Sequence, residues 1–545
     1  MGRDRPALTA GVDVVPFLAS VVAGCFLIAM VGWPLVAVFQ RSLAGVGLDR
    51  LIDIVTLPSI RSVAIFTFAQ AALSALVTLV LGLPIAHVLA AFRFRGKWLL
   101  RAAVVVPFVL PTLVVAAAVD SMFGRLGLDP GTGKASGVSL AAIVYAHLFF
   151  NLAVVVRLVG GFWARLDRRQ IEAARLLGAR PLTAWWTITF RQLRPAVIGA
   201  TLVVFLFSFT SFGVIRVLGG LRTATLETEI HRYAIARAEF DTAAVLALLQ
   251  IVVVAGLALA SARMQRRFTV GGRSVPPPTE AGVVGIRRLY LIAVVLLVVL
   301  VQGVPSTLLV VQSLTVDGGI GLDHYRALFE PVDLLPTSAA AALGNSLLFA
   351  SMAAVVAVGI GVAATAAIVN GGRFGRILEA LAFIPLGVSA VTLGFGYLVG
   401  FAAFDLRQSI WLVPLAHSVV GLPFVIAAMV PASRSVGDRI REAAAVLGAS
   451  PVDVWRTVEW PIVRRAAATG AGFAAAVSIG EFGATSFLAR GDRSFTAPLA
   501  IFRLLSTPGA ALRGQALALS VVVGLIVALL AMAMERRRRG SVTLL

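Results

Sequence analysis

The sequence predicts an all-α polytopic membrane protein of about twelve transmembrane helices, arranged as two parallel-repeat halves of six helices each. Three observations predict it. Of 545 residues, 59% are hydrophobic and only 13% charged, about half the roughly 25% charge of a soluble domain, so the bilayer must be the solvent. Uncharged apolar runs long enough to cross about 30 Å of hydrocarbon as helix recur along the whole chain. They are continuous rather than alternating, which selects helices over a barrel among the two backbones that satisfy themselves in lipid. Finally, residues of the first half recur 270 positions later in the second.

The runs fall near 14–39, 62–91, 101–122, 138–160, 196–218 and 242–262, then near 288–312, 341–369, 377–402, 409–431, 466–488 and 513–534. The first follows Arg3 and Arg5, exceeds the length of a signal-peptide core and lacks a cleavage site, so it reads as a retained helix. Between the sets, Arg266, Arg267, Gly271, Gly272 and the triple proline Pro276–Pro278 mark a linker. The expected organisation is a first half at 1–265, a cytoplasmic linker at 266–287 and a second half at 288–545.

The net charge of +21 would suggest nucleic acid in a soluble protein. Here the arginines cluster between apolar runs, where the positive-inside rule puts them, and no nucleic-acid partner is expected. Arg93, Arg95, Lys97 and Arg101, then Arg165, Arg168, Arg169, Arg175 and Arg180, then Arg434, Arg439, Arg441 and Arg536–Arg539 define the inside. Both termini are therefore expected in the cytoplasm, although Arg216, Arg222, Arg232 and Arg237 weaken the contrast in one outer loop. Cys25 is the single cysteine, so a disulfide framework and a thiolate metal site are both excluded.

The repeat is regular. Ala146-His147 recurs as Ala416-His417, Glu172-Ala173-Ala174 as Glu442-Ala443-Ala444, Gly178-Ala179 as Gly448-Ala449, Ser208 as Ser478, and Phe212-Gly213 as Phe482-Gly483. Six spans per half make the repeat parallel, with a pseudo-two-fold axis along the membrane normal. Its best-kept part lies in two loops assigned to the cytoplasm, at about 163–195 and 433–465. Each reads as a short helix starting near Glu172 or Glu442 and stopped by Gly178 or Gly448. Pro181 or Pro451 then opens a second short helix. Trp185, Trp186 and Phe190, or Trp455 and Trp460, make that second helix an exposed apolar patch, the usual mark of a protein contact.

These paired loops resemble the cytoplasmic loop of permeases in type I ATP-binding-cassette importers. The resemblance covers nearly the whole chain and implies that the loops are coupling helices docked on a separate ATPase, two copies of which one fused chain can engage. It implies ATPase-coupling roles for Glu172, Ala173, Ala174, Gly178, Glu442, Ala443, Ala444, Gly448 and Pro461. One departure is that the second copy exits through Trp460-Pro461, whereas the first has Phe190-Arg191 with Pro195 four residues later. That leaves the geometry of the first exit open. The alternative is that the two glutamates only cap interfacial helices.

Other motifs carry less. Gly131-Thr132-Gly133-Lys134-Ala135-Ser136 lacks the first glycine and the post-lysine hydroxyl of a phosphate loop and reads as a turn, so ATP hydrolysis is expected on another chain and none here. His147 and His417 read as helix-packing hydrogen-bonding groups rather than metal or proton sites, with no carboxylate at ligand spacing. Glu481, in Ser478-Ile-Gly-Glu481-Phe-Gly-Ala-Thr485, is an ionisable group at membrane depth and therefore a functional candidate. Its counterpart is Ser211, and Ser208, Ser211, Ser478, Glu481 and Thr485 are the expected pathway or gate. A Glu-Phe-Gly-Ala-Thr stretch also resembles permeases for several solutes, so gating or packing stays open for Glu481. Asp120, Asp405 and Glu227 read as charges near outer span ends. No catalytic residue, metal or cofactor is expected.

The fused layout resembles the thiamine and ferric-iron branch of the family. Phe209-Thr-Ser-Phe212, Leu218-Gly-Gly220, Ala224-Thr-Leu-Glu227 and 241–250 look most like a thiamine permease, while the second half is closer to an iron or oxyanion pattern. The resemblance implies an extracytoplasmic solute-binding protein as partner, beside the ATPase and membrane lipid, in the bacterial cytoplasmic membrane. An ion-coupled secondary transporter is the rival class, but it would carry more buried ionisable residues.

Overall fold

The computed structural model describes residues 14–43, 47–130, 136–220, 223–268, 281–316, 318–402, 409–489 and 491–538. The glycine-lysine turn at 131–135, the triple proline, Arg222, Asp405, Arg539 and the basic residues near the N-terminus lie outside them. The first half contributes α1 (14–43), α2 (Pro58–Ala91), α3 (Lys97–Val109), α4 (Thr112–Arg125), α5 (Ser136–Trp163), α6 (Arg168–Leu176), α7 (Pro181–Phe209), α8 (Gly213–Leu218), α9 (Leu226–His231) and α10 (Phe240–Phe268). The second contributes α11 (Ile286–Ser313), α12 (Ala339–Asn370), α13 (Gly372–Gly387), α14 (Ala390–Gly400), α15 (Leu412–Arg434), α16 (Asp438–Val446), α17 (451–480), α18 (Thr485–Leu488), α19 (Ala497–Ser506) and α20 (Ala510–Arg538).

The fold is all-α and polytopic. Among the described residues nine helices are long and apolar enough to span, or eleven if each bent pair counts once, against about twelve expected. Arg464 and Arg465, with a run of small residues, hold the 21-residue stretch Trp460–Gly480 of α17 below that standard. Four expected spans change shape. The straight runs at 101–122 and 377–402 are each two helices, bent by 109° between α3 and α4 and by 103° between α13 and α14. Leu110 precedes Pro111 and is extended (ψ 141°), because the proline ring disfavours the helical region for its neighbour. The second bend has no such proline; Ser389 Oγ instead accepts the Thr392 amide at 3.0 Å and starts a new helix. The runs at 196–218 and 466–488 stop at Phe209 and Gly480, where α7 and α17 give way to the short α8 and α18.

Two compact units cut across the sequence halves. One holds residues 1–45, 331–500 and 529–545; the other holds 46–330 and 501–528. Each half's first helix therefore belongs to the unit built mainly from the other half. In both first helices a π turn interrupts the α-helix, at Ile28–Gly32 and Val299–Gly303. Such a turn disturbs the regular ladder and leaves carbonyls for outside donors. Met30 and Leu300 stand 270 positions apart and use this alike: the Met30 carbonyl accepts Tyr397 Oη at 2.8 Å, and the Leu300 carbonyl accepts Tyr145 Oη at 2.6 Å.

Each unit is packed around three helices, α2, α5 and α7 in one and α12, α15 and α17 in the other. Glycines set the spacing at equivalent points. A Cβ on Gly82 would lie 2.8 Å from Val155 Cγ1, and one on Gly361 would lie 2.5 Å from Val425 Cγ1. Both approaches are tighter than any side chain permits, so α2–α5 and α12–α15 touch backbone to side chain.

Candidate functional site

The two Glu-Ala-Ala loops fold alike. Helix α6 starts at Arg168 and α16 at Asp438, four residues earlier than expected, which puts Glu172 and Glu442 in mid-helix instead of at a cap. Capping falls to Asp167, whose Oδ1 accepts the Arg169 amide at 3.0 Å. Both helices end in a Schellman motif. The Ala179 amide donates to the Ala174 carbonyl at 3.0 Å and the Gly178 amide to Arg175 at 3.1 Å; Ala449 donates to Ala444 at 3.1 Å and Gly448 to Ala445 at 3.0 Å. That geometry requires a left-handed residue, and Gly178 and Gly448 sit at φ +88° and +86°. Pro181 and Pro451 then open the next helix as their spacing predicts.

The burial of residues 171–180 matches that of 441–450 position by position. Glu172 and Glu442 are exposed, and neither makes an ion pair or hydrogen bond among the described residues. The most exposed apolar side chains of the loops are Leu176 and Leu177 at 89% each, with Val446 and Leu447 at 87% and 88%. Sequence reasoning placed the apolar patch on the following aromatic helix, where Leu182, Trp186, Trp455 and Ile462 are exposed, each less than those four. The signal that finds the larger patch is the apolar pair just before each glycine, repeated at the same register.

The exits match despite their different prolines. Both loops leave through a π turn, Trp185–Phe190 and Trp455–Glu459, lined by stacked rings: Trp185 on Phe190 at 5.4 Å and Trp455 on Trp460 at 5.3 Å. Pro461 directly follows that π turn inside α17, where the regular ladder is already interrupted. The ties back to the membrane helices differ. Arg441 pairs with Glu459 at 2.8 Å, whereas the first loop has Ile171 and Thr189 at those places and joins Gln192 to Gln170 at 2.7 Å. Ser450 and Asp453 cap the second helix, and the Ser450 hydroxyl and amide hold the exposed Asp453 carboxyl below the usual carboxylate range.

The expected pathway residues other than Ser211 lie in two buried polar clusters, one per unit. In one, the His417 ring sits between α15, α17 and α18: Nδ1 meets Ser478 Oγ at 2.7 Å, and Nε2 meets Thr485 Oγ1 at 2.7 Å and Glu481 Oε2 at 3.2 Å. Glu481 also accepts the Ala484 amide at 2.8 Å, the Thr485 amide at 3.0 Å and the Thr485 hydroxyl at 2.6 Å. A carboxylate can only accept, so Nε2 carries a proton toward Glu481. Glu481 thereby supplies the acceptors for the free amides at the start of α18. Sequence spacing had hidden this His–Glu contact, which spans 64 positions between His417 and Glu481.

The other cluster is wired differently. His147 Nδ1 meets Ser74 Oγ at 2.9 Å, Asn151 Nδ2 donates to Ser208 Oγ at 3.4 Å, and Gln70 Nε2 donates to the Ser208 carbonyl at 2.9 Å. Ser211 is half-buried and has no carboxylate with which to reproduce the Glu481 cap. Two caps that sequence reasoning missed do correspond: Thr67 Oγ1 accepts the Leu226 amide at 3.1 Å, and Ser346 Oγ accepts the Ala497 amide at 2.9 Å.

Of the supposed outer charges, Glu227 is corrected: it is fully buried in the first turn of α9 and takes a hydrogen bond from Gln250 Nε2. A helix start offers backbone amides that favour a carboxylate, which span-end counting cannot see. Asp120 is mostly covered and pairs with Arg513 at 2.7 Å. The arginines that blurred the charge contrast are engaged too, Arg216 over the Phe502 ring at 5.0 Å, Arg237 over Tyr233 at 4.9 Å and Arg232 with Glu229.

Comparison with known proteins gives the family. The sequence profile described as binding-protein-dependent transport system inner membrane component matches residues 78–269 and again 356–540. The chain is 28% identical over 542 residues to the thiamine transport system permease protein ThiP of Brucella abortus, with 95% of each chain covered. It is 26% identical over 450 residues to ThiP of Escherichia coli, covering 78% of this chain and 80% of that one. The molybdenum transport system permease protein ModB of Mycobacterium tuberculosis is 34% identical over 241 residues, covering 43% of this chain and 88% of the relative.

Proposed function

This chain belongs to the family of binding-protein-dependent transport system inner membrane components, and from that membership we propose that it carries thiamine across the bacterial cytoplasmic membrane. It is a multi-pass permease subunit of an ATP-binding-cassette importer, a transport component and not an enzyme. The proposal of thiamine rests on one observation: a relative named for thiamine transport aligns with 95% of this chain, and a second so named with 78%, both halves included. A second reading, an oxyanion such as molybdate, is favoured by the higher identity to ModB, which aligns with only about half the chain.

In the mechanism we propose, the loops at about 163–195 and 433–465 are the coupling helices, and both termini lie in the cytoplasm with them. Leu176-Leu177 and Val446-Leu447 enter apolar grooves on two copies of the ATPase, while Glu172 and Glu442 offer an unpaired charge beside them. Ala173 and Ala443 keep the exposed helix face flat, Ala174 and Ala444 accept the terminating amides, and Gly178 and Gly448 hold the stop. Closure of the ATPases on ATP moves each loop, and the stacked exits and Pro461 pass that motion to α7 and α17. Ser208, Ser211, Ser478, Glu481 and Thr485 border the pathway at the far ends of those same helices, where the Glu481 cap fixes the turn into α18. An extracytoplasmic binding protein delivers the solute.

The test is uptake into proteoliposomes holding this chain, its ATPase and the binding protein encoded beside it. ATP-dependent accumulation of labelled thiamine is expected. Accumulation of molybdate or ferric iron instead would replace the solute, and uptake driven by an ion gradient without ATP would overturn the class.

A further inference from the structure

We propose that the outer face of α13 is a binding site for one anionic phospholipid. A groove of about 540 Å³ runs along this helix, lined by Arg373, Arg376, Ile377, Ala380, Leu381 and Ile384. The lining is segregated: two guanidinium groups at the start, then only apolar side chains. From Arg373 to Ile384 the helix rises about 16 Å at about 1.5 Å per residue, enough to lay one acyl chain beside it.

The charges are available. Arg373 and Arg376 are exposed, and neither has a hydrogen-bond or ion-pair partner among the described residues. Glu379, one turn on and close enough in sequence to pair with Arg376, is turned toward Arg434 at 3.4 Å. Arg434 ends α15 just before the second Glu-Ala-Ala loop, so the arginine end of the groove lies at the boundary that carries that loop. Guanidinium groups bind phosphate oxygens through paired N–H donors, and basic clusters at such a boundary attract anionic headgroups. A phosphate between Arg373 and Arg376 with its chain over Ile377, Ala380 and Ile384 satisfies both parts of the groove.

The other half does not repeat it. Counted back from the equivalent bend, Arg376 corresponds to Trp98, and the adjacent Lys97 Nζ is tied to the Phe92 carbonyl at 3.0 Å. Arg373 corresponds to the exposed Arg95, so the other half keeps one of the two guanidinium groups and lacks the pair.

The experiment is native mass spectrometry of the full-length chain released from nanodiscs of phosphatidylcholine containing a minor fraction of phosphatidylglycerol. Wild type is expected to keep one phosphatidylglycerol. R373Q/R376Q is expected to hold it about 30-fold more weakly, the equivalent of about 1 kcal/mol for each basic residue near an anionic surface. Ala380→Trp, which leaves both arginines in place and fills the apolar stretch, is expected to lose it as well. Retention unchanged in both variants overturns the site, as does equal retention of phosphatidylcholine. Displacement of the lipid by millimolar inorganic phosphate would make it an anion site and also overturn the lipid. Both variants are scored only against a thermal transition equal to wild type, and a shared loss of that transition moves the scoring to the singly substituted R373Q and R376Q.

Discussion

Replacing Gly448 isolates one physical quantity, the cost of a left-handed residue at the end of a docking helix. Its φ is +86°, and a Cβ built there meets no atom within 4 Å. Substitution therefore adds no clash within the chain and leaves only backbone strain. That strain is roughly 1–2 kcal/mol for an ordinary L-residue, more for a β-branched one, and least for asparagine, which visits this region readily. Gly448→Ala is expected to weaken ATPase association about 5- to 30-fold at 1.4 kcal/mol per tenfold, with Gly448→Val worse and Gly448→Asn milder than Ala. Gly178 has the same φ within 2° and the same open surroundings, so Gly178→Ala should match, and the double variant should combine both losses. The assay titrates purified ATPase against the chain in nanodiscs and follows binding, with ATP-driven uptake as second readout. A rank order set by side-chain bulk, with asparagine worse than alanine, would refute the argument, because it would mean a partner surface fills the space beside the glycine. Equal binding by the valine variant would refute it outright.

Four further outcomes follow from the geometry. Leu177→Asp with Leu447→Asp should leave the melting transition of the isolated chain unchanged, since both side chains are almost fully exposed. ATPase binding should fall at least tenfold per site, as about 1.5–3 kcal/mol accompanies burial of a leucine. Glu481→Ala should lower stability by about 3–5 kcal/mol, because it strips two amides, a hydroxyl and an imidazole of their shared acceptor in a buried place. His147→Ala, which removes one bond to Ser74, should cost less than His417→Ala, and equal losses in a thermal unfolding comparison would contradict the two wirings. Glu227→Ala should destabilise the chain measurably, whereas a surface charge would leave it within about 0.5 kcal/mol.

Membrane class, duplication and both Glu-Ala-Ala loops were legible in the sequence because composition and a fixed 270-residue register are local or additive signals. Gly178 and Gly448 announced a helix stop, and Pro181 and Pro451 a restart, because each acts through its own backbone. What stayed hidden depended on contacts between distant segments. The bend at Ser389 has no proline directly after its extended residue, and Pro385 inside α13 does not by itself say that the helix stops rather than continues. The Glu227 carboxylate reads as an outer charge until α9 and Gln250 enclose it. The interleaving of the units was hidden for the same reason: helix α1 carries no charge before Arg41, and no pattern along it says which half will cover it.

The duplicated chain has kept some of its pairs and rewired others, and the division follows what each structure must meet. Both loops retain the Schellman stop, the exposed apolar pair and the ring-lined π turn, as the proposed docking on two copies of one ATPase requires. The buried clusters are each built from residues of a single unit. There His147 and His417 keep their places in sequence but not their partners, one held by Ser74 and the other by Ser478, Glu481 and Thr485. A buried acceptor as strong as Glu481 is stable only where every donor around it is supplied, and α18 supplies the Ala484 and Thr485 amides together with the Thr485 hydroxyl. At the equivalent place the first half has Ser211, which leaves α8 to begin without a carboxylate cap. The turn after α17 is thus held more firmly than the turn after α7, and a change of conformation that reaches both helix ends must meet unequal resistance at the two.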